Sequence, residues 1–323
     1  MIQPLRKEEF HLSLDDKIGG RLIASSCGYF VLPFPPLSSR ESLLTFMSFN
    51  LGKTLKAALW GGLTGAIAMF FSVLTLMPLR TVMTYQYRYG ATTSEVIRTL
   101  YTDGGWTRFY HGLTIALFQA FIIRFGDTAA NAGILVLFES TIYFKDLPVL
   151  VKTIFASIAA AAFRLIFTPV DTVKTVMQTQ GRKGLPILQQ KIKQYGIRTL
   201  WSGAIAIAVS GLVGHYLRFG TYNYLEANLP EAHTLFKKLL RLASIGFIAS
   251  VLSDSVCNSL KVVRVYCQVS EAHIEYFDAA RAVIATDGVK GLLGRGLKTR
   301  LLINGIQGLM FSILWKFFQD MYL

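Results

Sequence analysis

The sequence predicts an all-α membrane protein of six transmembrane helices built as three repeats, and three observations predict it. Of the 323 residues, 52% are hydrophobic and only 16% are charged, the balance of a chain that spends most of its length in lipid. Pro78 and Pro169 end apolar runs 91 residues apart, and Ser259 stands in the same place 90 residues further on. Finally, Asp103-Gly104, Tyr195-Gly196 and Asp287-Gly288 recur every 92 residues, each followed after seven or eight residues by another glycine: Gly112, Gly203 and Gly296. Self-similarity at a fixed period is the mark of a repeated structural unit.

Residues 1–50 precede the repeats and mix charges with VLPFPPLSS, Val31 to Ser39, which favours an extended chain over a helix. They hold Glu8, Glu9, Asp15 and Asp16 and lack a continuous apolar core, which argues against a signal peptide or an acid-poor transit peptide. Ordering such a segment costs about 1–2 kcal/mol per residue in backbone entropy, so it reads as an arm that docks on a protein partner. Three units follow, over residues 51–145, 146–232 and 233–323. Each reads as a membrane helix, a proline or serine break, an amphipathic segment, a glycine turn and a second membrane helix. The first helices fall near 53–78, 148–170 and 235–260, and the second near 112–140, 203–228 and 296–321. Each holds close to the ~20 apolar residues that cross a bilayer. Gly61, Gly62 and Gly65 in the first span, and Ala156 with Ala159 to Ala162 in the third, favour close helix approach. Three equivalent hairpins pack about a pseudo-threefold axis along the membrane normal.

The net charge of +14 suits a surface facing anionic headgroups, where each cation gains about 1 kcal/mol. The basic residues are scattered between apolar spans rather than gathered on one basic and aromatic face, which excludes nucleic acid as a partner. Cys27, Cys257 and Cys267 are odd in number and form no CxxC pair, so neither a metal site nor a disulfide framework is indicated. No nucleophile with its base, and no phosphate loop, points to an enzyme.

The run PVDTVKTVMQ, Pro169 to Gln178, resembles the signature of the mitochondrial carrier family: proline, any residue, acid, two residues, base, and a glutamine four residues later. The repeat length and the run GLKTRLLINGIQGLMFSILW, Gly296 to Trp315, resemble that family as well, over residues 51–323. The resemblance implies a carrier fold with short amphipathic helices on the matrix side, multi-pass in the mitochondrial inner membrane, the outer membrane being the lesser expectation. It also implies two gates. On the matrix side, the family closes its cavity with a ring of three ion pairs. The second repeat supplies Asp171, Lys174 and the brace Gln178, whereas PLRTVMTYQY in the first puts Arg80 at the acidic position and Met83 at the basic one. SLKVVRVYCQ in the third puts Lys261 at the acidic position and keeps Arg264 and Gln268. One acid then faces four bases, leaving Asp171–Arg264 as the one normally placed bridge. At the opposite gate Glu139, Glu226 and Lys316 remain, and no repeat keeps acid and base together.

Ionisable residues inside apolar spans are costly and mark function or a fixed pair. Five residues before each break stand Val73, Arg164 and Asp254. Arg164 with Asp254 is either part of a substrate site or an ion pair that cements the bundle. Arg124-Phe125-Gly126 and Arg218-Phe219-Gly220 resemble the region of the family's substrate contacts, where the third repeat offers Ile303. Asp127 stands three residues from Arg124, close enough on a helix to neutralise it. Arginines in an open cavity suit a phosphate or carboxylate. The turns YHG, WSG and GRG resemble the family's cardiolipin sites and bring His111, Gly112, Gly203, Arg295 and Gly296 to helix N-termini, where free amides hold phosphate. Bound cardiolipin is therefore implied.

Two functions stay open. With charge pairs lost at both gates, the chain reads first as a non-transporting structural subunit of a larger respiratory-chain or ATP-synthase assembly, held through residues 1–50. It reads second as an active carrier exchanging a small anionic metabolite by alternating access, using Arg124, Arg164, Arg218 and Asp254.

Overall fold

Every regular element among the described residues is helical in the computed structural model, which describes residues 51–123, 149–230 and 235–320. The helices are α1 Leu51–Tyr89, α2 Thr93–Arg108, α3 Leu113–Ile123, α4 Val149–Ile166, α5 Thr168–Gln180, α6 Gly184–Tyr195, α7 Ala204–Asn228, α8 Leu235–Val269, α9 Tyr276–Gly294 and α10 Leu297–Asp320. Residues 1–50 and Arg124, Asp127 and Glu139 lie outside the described residues.

The three expected breaks turn out unlike one another. At Pro169 the helix does break: α4 stops at Ile166, and the proline falls in the first turn of α5, where its missing N–H leaves no helical bond unmade. Pro78 instead lies inside α1, which runs on to Tyr89. Ser259 interrupts nothing, and α8 continues to Val269, because a serine keeps the N–H that the helical ladder needs. The sequence reading of a break at all three positions is corrected to one.

Many large apolar side chains face outward while many polar ones are buried. Phe70, Phe71, Phe118, Phe121, Phe155, Phe247, Leu252 and Leu309 are exposed, whereas Thr84, Gln119, Asp171, Gln178, Asp254 and Asn304 are buried. An apolar coat over a polar interior is what lipid demands of a helical bundle. The stretches Ile197–Asn228 and Leu240–Val269 are long and apolar enough to cross a bilayer. At ~1.5 Å per residue, the 25 residues of α7 span about 37 Å, more than the ~30 Å hydrocarbon core.

The repeats grip one another in a cycle. Helices α1, α5 and α8 touch pairwise. One apolar cluster joins Leu76, Met83 and Tyr87 of α1, Val176 of α5, and Val262, Val265 and Val269 of α8. Each second helix begins at a left-handed glycine, Gly112, Gly203 or Gly296, with φ of 81, 84 and 66°. Each of these glycines abuts the first helix of the next repeat: Gly112 lies against Lys174 and Met177, Gly203 against Arg264, and Gly296 against Met83 and Tyr87.

A cation from each repeat also caps the carbonyl end of the next repeat's first helix. Arg108 donates to the carbonyls of Gln178 (3.0 Å) and Thr179 (2.7 Å), Lys191 to those of Cys267 (3.3 Å) and Ser270 (2.6 Å), and Arg295 to that of Arg88 (3.1 Å). Positive charge there complements the negative end of the helix dipole and satisfies carbonyls left over at the helix end. Asp103 and Asp287 steady the two arginines at 2.7 Å. The glycine pairs of the sequence shift by one in the first repeat. There the left-handed residue is Gly105 (φ 61°), beside an extended Gly104, in the role of Gly196 (81°) and Gly288 (67°).

Candidate functional site

Two buried carboxylates organise the polar interior. Asp171 stands in the first turn of α5, where the helix dipole favours an anion, and its side chain is 8% exposed. Its Oδ1 accepts from Lys174 Nζ at 2.9 Å and from Gln119 Nε2 of α3 at 2.8 Å. Its Oδ2 accepts from Gln268 Nε2 of α8 at 3.1 Å and lies 3.7 Å from Arg264 Nη1. Lys174 also donates to Gln119 Oε1 at 2.6 Å. The bridge expected between Asp171 and Arg264 is thus present, and it joins α5 to α8. Gln178 braces α5 to α1 instead, accepting from Thr84 Oγ1 at 3.1 Å.

The second carboxylate changes the reading of the gate. Asp254, 1% exposed, receives Lys261 Nζ of its own helix α8, Arg300 Nε (3.2 Å) and Asn304 Nδ2 of α10, and it lies 3.8 Å from Arg218 Nη2 of α7. Lys261 stands where the family pattern has an acid, yet it is neutralised from two helical turns away. Arg80, likewise at an acidic position, donates from Nη2 to Gln307 Oε1 of α10 at 3.2 Å. Unit charges about 4 Å apart interact by about 4 kcal/mol at an effective dielectric constant near 20, enough to decide which basic side chains gather at these carboxylates. The picture of one acid against four bases gives way to two acids and an amide that share them. Met83, at the first repeat's basic position, is buried in the apolar cluster between α1, α5 and α8, so grease closes the sector where charge is missing.

Other sequence candidates fall in different places. The suggested Arg164–Asp254 pair does not form. Asp254 takes cations from α7, α8 and α10, while the Arg164 guanidinium of α4 lies 3.9 Å from where a side chain on Gly211 of α7 would begin. Ile303 is 2% exposed and packs in the apolar cluster, so the substrate-contact position of the third repeat faces helix neighbours. Its helical neighbours Arg300 and Asn304 supply the polar contacts instead. Glu226 is exposed near the end of α7, where its backbone carbonyl accepts from Arg241 at 2.7 Å. Lys316 lies on α10. Arg295 spends its guanidinium on Asp287 and the Arg88 carbonyl, whereas His111 Nδ1 is buried with no hydrogen-bond partner. Sequence reasoning missed Gln119, Arg300 and Asn304. A signal existed for the first: the count of seven residues that leads from Gly296 to Ile303 leads from Gly112 to Gln119.

Comparison with known proteins agrees with this geometry. The family described as mitochondrial carrier protein matches residues 145–233 and 237–323. The mitochondrial arginine transporter BAC2 of Arabidopsis thaliana is 25% identical over 279 residues, 80% of this chain and 89% of that protein. The human mitochondrial nicotinamide adenine dinucleotide transporter SLC25A52 is 25% identical over 214 residues, 64% and 69% of the two chains. The mitochondrial thiamine pyrophosphate carrier 1 of Candida albicans is 22% identical over 167 residues, 48% and 56% of the two. With two of its three repeats matched, and an ion pair with glutamine braces joining the helices that converge at its core, the chain belongs to the mitochondrial carrier family.

Proposed function

We propose that this protein is an active carrier of the mitochondrial inner membrane that exchanges a small anionic metabolite by alternating access. The observation that supports it most is the rewired gate. The scaffold reading rested on charge pairs lost at both gates, yet on the matrix side Lys261 shares Asp254, Arg80 reaches Gln307, and Arg264 keeps Asp171. The Arg80–Gln307 and Arg264–Asp171 contacts join different helices and are reversible, and a moving carrier needs two states of similar energy, each held by its own contacts. The relatives are named as transporters, one of them over 89% of its own length, which also favours transport over an architectural role. The substrates in their names include arginine, a cation, and thiamine pyrophosphate, which carries phosphates, so the sign of the solute rests on this chain's own residues. Arg218, Lys261, Arg264, Arg300 and Lys174 gather around two carboxylates, and guanidinium groups offer paired donors to a carboxylate or phosphate. We further propose that cardiolipin sits at the turns before α3, α7 and α10, and that residues 1–50 form an arm for a protein partner.

Liposomes containing the purified protein and preloaded with an anion mixture test the reading. Uptake of a labelled anion that depends on internal anion is expected. Absence of exchange from folded protein, together with comigration in mild detergent with a respiratory or ATP-synthase assembly, reverses the conclusion in favour of the scaffold.

A further inference from the structure

Donors from three helices meet at one buried point, and the protein itself supplies the anion there. Asp254 draws Lys261 from α8, Arg300 and Asn304 from α10, and Arg218 from α7. This is the arrangement expected around a bound carboxylate or phosphate, with charged forks and an amide converging on two oxygens. Asn304 has a second anchor, since its Nδ2 also donates to Ser250 Oγ at 2.7 Å. The three cations instead end long flexible stems and can follow an incoming anion, whereas aspartate is short and fixed to α8.

We propose that Asp254 is the resident counter-ion of the substrate site, an internal anion that a substrate carboxylate or phosphate displaces from Lys261, Arg300 and Arg218 in order to bind. The inference rests on the anion-carrier reading and narrows its substrate class. A singly charged anion offers these cations no more than Asp254 already does, so exchange brings it little. A doubly charged group, such as a phosphate monoester or a dicarboxylate, offers more and wins the exchange. A cationic solute would have to strip three basic groups from Asp254 and is rejected. In the empty protein Asp254 ties α7, α8 and α10 together, and binding hands that tie to the solute.

The test compares wild type with Asp254→Asn, using succinate, its half-amide succinamate and arginine as probes. Stabilisation against thermal unfolding in detergent is read at rising probe concentration at pH 7. Wild type is expected to bind succinate at least about tenfold more tightly than succinamate and to ignore arginine. In Asp254→Asn, succinamate gains and the preference shrinks to about threefold or less. An unchanged preference in a variant that still melts cooperatively overturns the proposal, as does arginine binding that Asp254→Asn abolishes, or no shift with any probe. Should Asp254→Asn fail to fold, the charge-balanced pair Asp254→Asn with Lys261→Met carries the same comparison. Probe binding that responds as expected, without exchange in liposomes, sinks the carrier reading alone. Exchange whose preference ignores Asp254→Asn sinks this one alone.

Discussion

Gly196 and Gly203 share a positive φ but differ in ψ, 173° against 0°, and in what surrounds them. A Cβ on Gly196 (φ 81°) meets nothing within 4 Å, whereas on Gly203 (φ 84°) it would stand 2.9 Å from Arg264 Cγ and 3.2 Å from the Arg264 carbonyl. Gly196→Ala is therefore expected to cost about 1–3 kcal/mol of backbone strain alone, and Gly203→Ala the larger total, about 1–2 kcal/mol of strain together with ~1–3 kcal/mol of overpacking against α8. Thermal unfolding of the two variants in one detergent checks the order. His111 gives a second residue-scale expectation. Its imidazole lies beside Gly181, and burial, then the nearby Arg108 and Arg182, hold its pKa below the ordinary value. In the unfolded chain it takes up a proton at about pH 6.5, and in the folded chain only at lower pH. Between those two points the unfolded state binds more protons, so stability falls as the medium is acidified through that window. A melting temperature that drops between pH 7.5 and 5.5 in wild type, and drops less in His111→Gln, is the expected result.

Helix ends are where this fold joins its parts. The last carbonyls of α1, α5 and α8 have no intrahelical donors, and Arg295, Arg108 and Lys191 fill the vacancy from the neighbouring repeat. Lys191 is the cleanest case to perturb, because it reaches across from α6, is 3% exposed, and makes its bonds to the carbonyls of Cys267 and of Ser270, just past the end of α8. Lys191→Met keeps the stem and removes the donor, leaving two buried acceptors without a partner. A loss of about 1–3 kcal/mol is expected, with faster amide exchange confined to the last turn of α8. None of the three cations was legible as a cap from sequence. Counted from Gly112, Gly203 and Gly296 they stand four, twelve and one residues back. Three different side-chain paths converge on equivalent carbonyls, so no common spacing exists to be read.

Across the whole molecule, the features legible in the sequence were those set by local chemistry. Apolar run length placed the stretches Ile197–Asn228 and Leu240–Val269, Pro169 placed the break between α4 and α5, and the recurring glycines placed the starts of α3, α7 and α10. The partners that Asp254 takes from other helices were not legible, because they depend on how α7 and α10 are rotated about their axes against α8. Sequence spacing along one helix carries no record of that rotation. Matched depth suggested Arg164 as the partner, while the packed bundle presented Arg300 and Arg218. The same limit explains why charges out of place at the gate looked like damage: a displaced acid two turns away on α8 restores a counter-charge that a motif comparison does not search for. The circular order of the helix-end caps bears on biosynthesis as well. Since Arg295, near the C-terminus, secures the tail of α1, the earliest hairpin inserted into the bilayer waits for the latest one to be fastened. A polypeptide cut short before α9 would lack that clasp and be left as an unclosed horseshoe.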